Sequence, residues 1–173
     1  MAPPRSDLKI EALASHHDRD SFSSGVDSLD RYLRTQAGQD VRRKANGVFI
    51  LVEPDKPDVV LGYYTLCATA LAQGEVPAAA RKHVPRYPLV SATLVGRLAV
   101  AEARQGERLG AMLLADAVQR AYASAATVGS SMLVVDAINE RAAAFYEGNG
   151  FMRLPDSLRL VLPLHTIRRL VEP

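Results

Sequence analysis

Cysteine occurs once in the 173 residues, as Cys67. No internal disulfide can form, and the composition suits a reducing cytosol. Within "VLGYYTLCATAL" the thiol is expected to behave as a small buried hydrophobe. No apolar run approaches the roughly 18 to 20 residues that span a bilayer, so no membrane segment is expected. The opening "MAPPRSDLKI" lacks a charged leader followed by an apolar stretch and a small-residue cleavage site. A cytoplasmic location is the expectation. There is no G-x-x-x-x-G-K-[ST], which disfavours a nucleoside triphosphatase, and no G-x-G-x-x-G, which disfavours a dinucleotide enzyme. No Cys/His grouping has metal-ligand spacing, and no metal is expected. His16 and His17 are adjacent in a polar lead, and solvation suits them better than ligation. Repeats, low-complexity tracts and long linkers are also missing. With 48% hydrophobic and 23% charged residues, residues 1–173 are expected to form a single globular domain with a sizeable core.

What is present reads as an alternation of helices and short strands. "GVDSLDRYLRTQAGQDVRR" carries Leu29, Tyr32, Leu33, Ala37 and Val41 at helical spacing, behind the cap candidates Asp27 and Ser28. "VFILVE" and "VVLGYYTLCATAL" read as an antiparallel pair. "PAAARKHVPRYP" is a proline-punctuated excursion. "SATLVGRLAV" is the next strand, and a helix is expected from Gly106 to about Ala126, with Leu109, Met112, Leu113 and Ala117 on one face. "SMLVVDA" is a buried-type strand. A helix opened by Asn139 and closed near Gly148 or Gly150 follows, and "FMRL" and "LRLVLPL" end the chain as strands. This order predicts a mixed sheet with helices on its faces.

The formal net charge is only +2, but the cations are grouped. Arg42, Arg43 and Lys44 stand in a row, and "ARKHVPRYP" adds Arg81, Lys82 and Arg86. Such clusters either form a phosphate-binding face or are solvated surface charge. Arg97 is a lone charge in an apolar run, fit for a phosphate or for an ordinary surface pair.

In "VGRLAVAEARQGERLGAMLLADAV" a strand ends at Val100, and a short turn containing Gly106 opens a helix at about Arg108. Backbone N–H groups at a helix start have no intrahelical partner, and the helix dipole favours negative charge there. A pyrophosphate fits. Gly106 permits close approach of the backbone, and Gly110 keeps a side chain out of the way. An ordinary strand–turn–helix accounts for the same pattern. Later, "ERAAAFYEGNGF" sets Tyr146 beside Phe145, where packing alone does not require a hydroxyl.

"RLAV…RQGERLGAMLLADA" resembles the acetyl-coenzyme A signature Q/R-x-x-G-x-G/A of the GNAT acetyltransferases. Gln105 and Gly110 fit its first and last positions, while Arg108 stands at its middle glycine. A non-glycine residue can offer its N–H there if φ is negative. "NERAAAFYEGNGF" resembles that family's later motif through Asn139, Ala142, Phe145, Tyr146, Gly150 and Phe151. More narrowly, "FSSGVDSLDRYLRTQA", "VLGYYTLC", "LVGRLAV" and "LPDSLRLVLPLHTI" are similar to GNAT toxins of bacterial type II toxin–antitoxin systems, which acetylate the α-amino group of aminoacyl-tRNA.

The resemblance implies an α/β (α+β) GNAT fold: a mixed central sheet, helices on both faces and a splay between the two central parallel strands. It implies acetyl-CoA as cofactor, contacted through the backbone of Leu98, Ala99 and Val100 and cradled by Gln105, Gly106, Glu107, Arg108, Leu109, Gly110 and Ala111. Asn139 and Phe145 belong to the same binding set. Tyr146 matches the tyrosine that protonates the departing thiolate, and its ordinary pKa near 10 keeps it protonated at neutral pH. Direct attack by the acceptor amine needs no enzyme nucleophile, in keeping with the missing Ser/His/Asp and Cys/His sets. Implied partners are aminoacyl-tRNA, held by Arg42, Arg43, Lys44, Arg81, Lys82, Arg86 and Arg97, a ribbon-helix-helix antitoxin and a second copy in a homodimer. Two other readings stay open: acetylation of a small amine or a protein N-terminus, and a non-catalytic acetyl-CoA-binding module.

Overall fold

The computed structural model describes residues 7–167. Its strands are β1 (Lys9–Ala12), β2 (Gly47–Val52), β3 (Gly62–Ala72), β4 (Leu89–Val100), β5 (Met132–Asp136), β6 (Met152–Arg153) and β7 (Arg159–Pro163). They form one seven-stranded sheet in the order β1-β2-β3-β4-β5-β7-β6. The sheet is mixed: β4 and β5 are parallel, and the pairs β1–β2, β2–β3, β5–β7 and β6–β7 are antiparallel. The helices are α1 (Asp27–Thr35), α2 (Ala37–Arg42), α3 (Ala78–Arg81), α4 (Leu109–Val128) and α5 (Glu140–Gly148). Packing groups the chain into two compact units, one running to Leu66 and adding Arg97–Ala117, the other made of Cys67–Gly96 and the chain from Val118 onward.

In the first unit, strand alternation sorts helices to opposite faces. Tyr63 points into a core of Leu29, Leu33, Ile50 and Val52, and its hydroxyl donates to the Leu29 carbonyl of α1 at 2.6 Å. Its neighbour Tyr64 points the other way and donates to Asp116 on α4. Gly62, just before them, lies close against the backbone of β4. A Cβ there would lie 2.8 Å from the Ala99 carbonyl oxygen, so no larger residue fits.

In the second unit Val134 of β5 and Val161 of β7 pack with Leu71, Ala80, Val84 and Val90. The ladder between β4 and β5 runs only from Ala92↔Met132 to Val95↔Val135, although β4 continues to Val100.

Several expected features are corrected. The polar lead contains a strand, β1, because Ile10 and its neighbours complete the edge of β2. The first long helix is two, broken at Gln36 with φ −120°. Neither Asp27 nor Ser28 caps it: Val26 takes the N-cap position without a side-chain bond, and Asp27 instead pairs with Arg31 one turn on, at 2.7 Å. The helix expected from Gly106 begins at Leu109, since Gly106 (φ +89°) and Arg108 (φ +61°) lie outside right-handed helical space. Cys67 is half-buried rather than buried.

Candidate active site

The chain between β4 and α4 is built as a braced loop. After Val100 one turn of 3-10 helix, Glu102–Arg104, uses the Gln105 N–H on the Glu102 carbonyl. The chain then reverses through Gly106 and Arg108, both with positive φ. The first-turn bond of α4 runs from the Met112 N–H to the Arg108 carbonyl at 3.2 Å. The N–H groups of Leu109, Gly110 and Ala111 precede it and have no acceptor within the helix. No acidic residue stands in that first turn, so nothing there opposes a bound anion.

Arg108 departs from expectation. The condition of a negative φ for a non-glycine donor there is not met: its φ is +61°. The turn geometry that a glycine ordinarily supplies is kept, at a cost of about 1–2 kcal/mol for an L side chain. The side chain is exposed.

Three of its residues brace the loop. The Gln105 side chain donates to the Ser24 carbonyl at 3.0 Å and to the Val100 carbonyl at 3.3 Å. The Glu102 N–H donates to the Ser23 carbonyl at 2.8 Å. Arg104 bridges Glu107, at 2.7 Å, and Glu53 at the end of β2. Those two carboxylates raise the Arg104 pKa, Glu107 first. The Glu107 carboxylate, which would repel a phosphate, is thereby charge-paired.

The segment "FSSG" is the other half of this brace, and sequence reasoning missed its part. Phe22 sits in the core. Ser24 is buried and donates from both its N–H and its hydroxyl to the Asp30 carboxylate. Gly25 has φ +85°, and a Cβ there would meet Glu102 Oε1 at 2.9 Å. Its spacing to the loop in sequence is too large for any local pattern to reveal.

Leu98 and Val100 are half-buried, and Ala99 is buried in the first unit's core. Arg97 lies over the Tyr32 ring, 3.6 Å from guanidinium carbon to centroid. The Tyr32 hydroxyl donates to Asp40, which also accepts from Gln36 and Asn46. Arg97 is thus stacked on an aromatic face within a fixed polar network. Burial, then the Asp40 carboxylate, pushes the Tyr32 pKa well above its ordinary value.

In the second unit, α5 starts as expected: Asn139 is its N-cap and accepts the Ala142 N–H at 2.9 Å. That use occupies its side-chain oxygen. Arg153 of β6 grips Glu140 with two 2.7 Å bonds. The Tyr146 ring is buried between Phe145 and Phe151, at centroid distances of 5.2 and 5.7 Å. Its hydroxyl has no hydrogen-bond partner among the described residues, yet it is not one of their sealed, unsatisfied polar atoms. Burial of the ring pushes the pKa up to about 12.

The basic clusters differ in character. Arg42, Arg43 and Lys44 are exposed at the end of α2, with Lys44 at φ +62°. Lys82 and Arg86 are exposed too, but Arg81 is committed to the carbonyls of Val76 and Gly74.

His17 corrects another expectation. It is buried rather than solvated, while His16 is exposed. Its Nδ1 accepts the Ala14 N–H at 2.9 Å, which assigns the proton to Nε2, and Nε2 donates to Glu11 at 2.8 Å. Glu11, His16 and His17 approach within 4.8 Å of one another. Both His17 nitrogens are occupied in this arrangement, so no lone pair is offered to a metal.

The comparisons with known proteins point one way. A family model described as an acetyltransferase (GNAT) domain matches residues 45–153. A tRNA-acetylating toxin of Mycobacterium tuberculosis (strain ATCC 25618 / H37Rv) is 34% identical over 155 residues, 89% of this chain and 90% of that protein. The structure of AtaT complexed with acetyl-methionyl-tRNAfMet matches with a TM-score of 0.86 and 32% identity, over 95% of this chain and 99% of that one. A tyrosine-to-phenylalanine mutant of AtaT, bound to the C-terminus of the antitoxin AtaR and acetyl-CoA, matches with a TM-score of 0.81 and 30% identity, over 96% and 99% of the two chains.

Proposed function

The chain belongs to the GNAT acetyltransferase family, and we propose that it transfers the acetyl group of acetyl-CoA to the α-amino group of aminoacyl-tRNA, acting as the toxin of a toxin–antitoxin pair. The observation that carries the reading is the match, over nearly the whole of both chains, to AtaT complexed with acetyl-methionyl-tRNAfMet. The braced loop supports it, because it offers helix-start N–H groups, a charge-paired Glu107 and an exposed Arg108 to an anionic cofactor.

Bound acetyl-CoA supplies an acetyl thioester. In the proposed roles, the backbone of Leu98, Ala99 and Val100 aligns the pantetheine arm as an added strand would be aligned. Residues Gln105 to Ala111 take the pyrophosphate, and Phe145 packs against the cofactor. Tyr146 holds a proton on a reachable hydroxyl and delivers it to the departing sulfur. No side-chain nucleophile is required, because the amine attacks the thioester carbon itself. The α-amine of an aminoacyl ester is less basic than that of lysine, so water suffices to take its proton.

The same reading gives the protein a ribbon-helix-helix antitoxin, a homodimeric assembly and a cytoplasmic site of action. No helix among the described residues is long and apolar enough to cross a membrane. The test is direct. The purified chain is incubated with acetyl-CoA and charged tRNA, and the released aminoacyl-adenosines are weighed by mass spectrometry. A gain of one acetyl group on the α-amine is expected. Turnover only on a polyamine or a peptide N-terminus would replace the acceptor, and no transfer to any amine would reduce the chain to a binding module.

A further inference from the structure

Two arginines from distant parts of the sequence reach the same point on the surface of α2. A Cβ built on Gly38 would lie 3.0 Å from Arg19 Nη1 and 3.4 Å from Arg42 Nη1. Arg42 stands one turn beyond Gly38 on that helix, and Arg19 comes from the segment after β1. Arg19 is half-buried, and its only bond among the described residues is a long one, 3.5 Å, to the Leu33 carbonyl.

Two guanidinium groups that converge on one glycine concentrate positive charge there, which an anion would neutralise. The protein supplies none. Neither arginine pairs with a carboxylate among the described residues. The acid nearest along the helix, Asp40, is occupied by Tyr32, Gln36 and Asn46. Gly38, with no Cβ, lets both guanidinium groups lie against the helix backbone. Arg43 and Lys44 extend the positive charge past the end of the helix. Planar guanidinium forks match the oxygens of a phosphate.

We propose that Arg19 and Arg42, across Gly38, seat one backbone phosphate of the tRNA acceptor. Arg19 lies outside both basic clusters that the sequence displays. The inference rests on the aminoacyl-tRNA reading above and assigns part of its binding surface.

The test measures binding of fluorescently labelled tRNA to the full chain over a series of salt concentrations. Wild type, Arg19→Ala, Arg19→Lys and Gly38→Ala are compared, with acetyl-CoA affinity and melting temperature recorded for each. Each phosphate contact contributes roughly 0.7 to 0.9 to the slope of log K against log salt. Arg19→Ala is expected to lower that slope by about one such contact. Arg19→Lys keeps the charge but loses the fork, and should fall between. Gly38→Ala is the sharper variant: Ala favours a helix interior over Gly, so melting should hold or rise. Its methyl group would press on Arg19 Nη1 and push the two guanidinium groups out of place, and tRNA affinity should drop severalfold. Acetyl-CoA affinity should not change in any variant.

If wild type binds tRNA with a steep salt slope and both Arg19→Ala and Gly38→Ala match it, the seat is wrong and the acceptor reading stands. If wild type shows no salt-dependent tRNA binding, the acceptor reading fails and the seat with it. A matching loss of acetyl-CoA affinity in Arg19→Ala would assign the phosphate to the cofactor and overturn the proposal. Loss of melting stability in Arg19→Ala beside unchanged tRNA affinity in Gly38→Ala would make the arginine structural.

Discussion

The Tyr146 ring meets Phe151 edge-on, with centroids 5.7 Å apart and planes at 63°. A ring held by its flank fixes the direction of its hydroxyl without using it. Tyr146→Phe should therefore leave folding and acetyl-CoA affinity nearly unchanged while turnover falls about 10²-fold or more, the range for general acid–base work. Steady-state rates and calorimetry on the same preparation check this. Wild-type turnover in the variant would remove Tyr146 from the mechanism.

The pH profile offers a separate check. Burial raises the tyrosine pKa from 10 to about 12, so the proton is retained at every ordinary assay pH and leaves only above that value. Loss of the acid should produce no alkaline fall in rate below about pH 11. An alkaline limb near pH 8 or 9 that disappears in Tyr146→Phe would contradict the assignment.

Arg108→Gly separates backbone from side chain. Glycine relieves the left-handed strain at φ +61° but also adds freedom to the unfolded chain, so the melting temperature should hold or rise slightly. If the proposed loop holds the cofactor phosphates, losing this exposed cation should weaken acetyl-CoA binding by about 2- to 5-fold, the worth of a screened surface charge at a helix start. Tighter binding would show that the loop needs only its backbone. Gly110→Asp is the stronger disruption: a negative charge at the helix start should reduce affinity markedly while circular dichroism stays the same.

Reversing Arg42 and Arg43 to Glu should flatten the salt dependence of tRNA binding and abolish growth arrest on induced expression, with acetyl-CoA binding intact. Undiminished toxicity would mean that tRNA binds elsewhere.

Glu11 predicts an acid-labile edge. Bonds from Lys9 and then His17 pull its pKa from 4.5 down to about 2. The folded value lies below the unfolded one, so this stabilisation is complete above about pH 4.5 and is lost as pH falls toward 2. Thermal melts across that window should show a smaller acid loss in Glu11→Gln than in wild type. Parallel curves would deny Glu11 that role.

Much of this was legible in order. The β-rich runs "VFILVE" and "VVLGYYTLCATAL", parted by the Pro and Asp of "PDKPDV", determined an antiparallel pair, and Asn139 before an alanine-rich run determined a capped helix. The two glycine-bearing motifs pointed to the family to which the chain belongs. These are signals carried by residues within a few positions of one another, where chain geometry alone links sequence to structure. Tertiary structure decided the rest, because the partners are remote in sequence. That His17 is buried follows from Glu11 and Ala14 closing around it. That Arg108 holds a glycine's conformation follows from the braces that Ser24 and Arg104 place beneath the loop. That Arg19 and Arg42 share one glycine depends on where α2 packs, and no spacing along the chain encodes it.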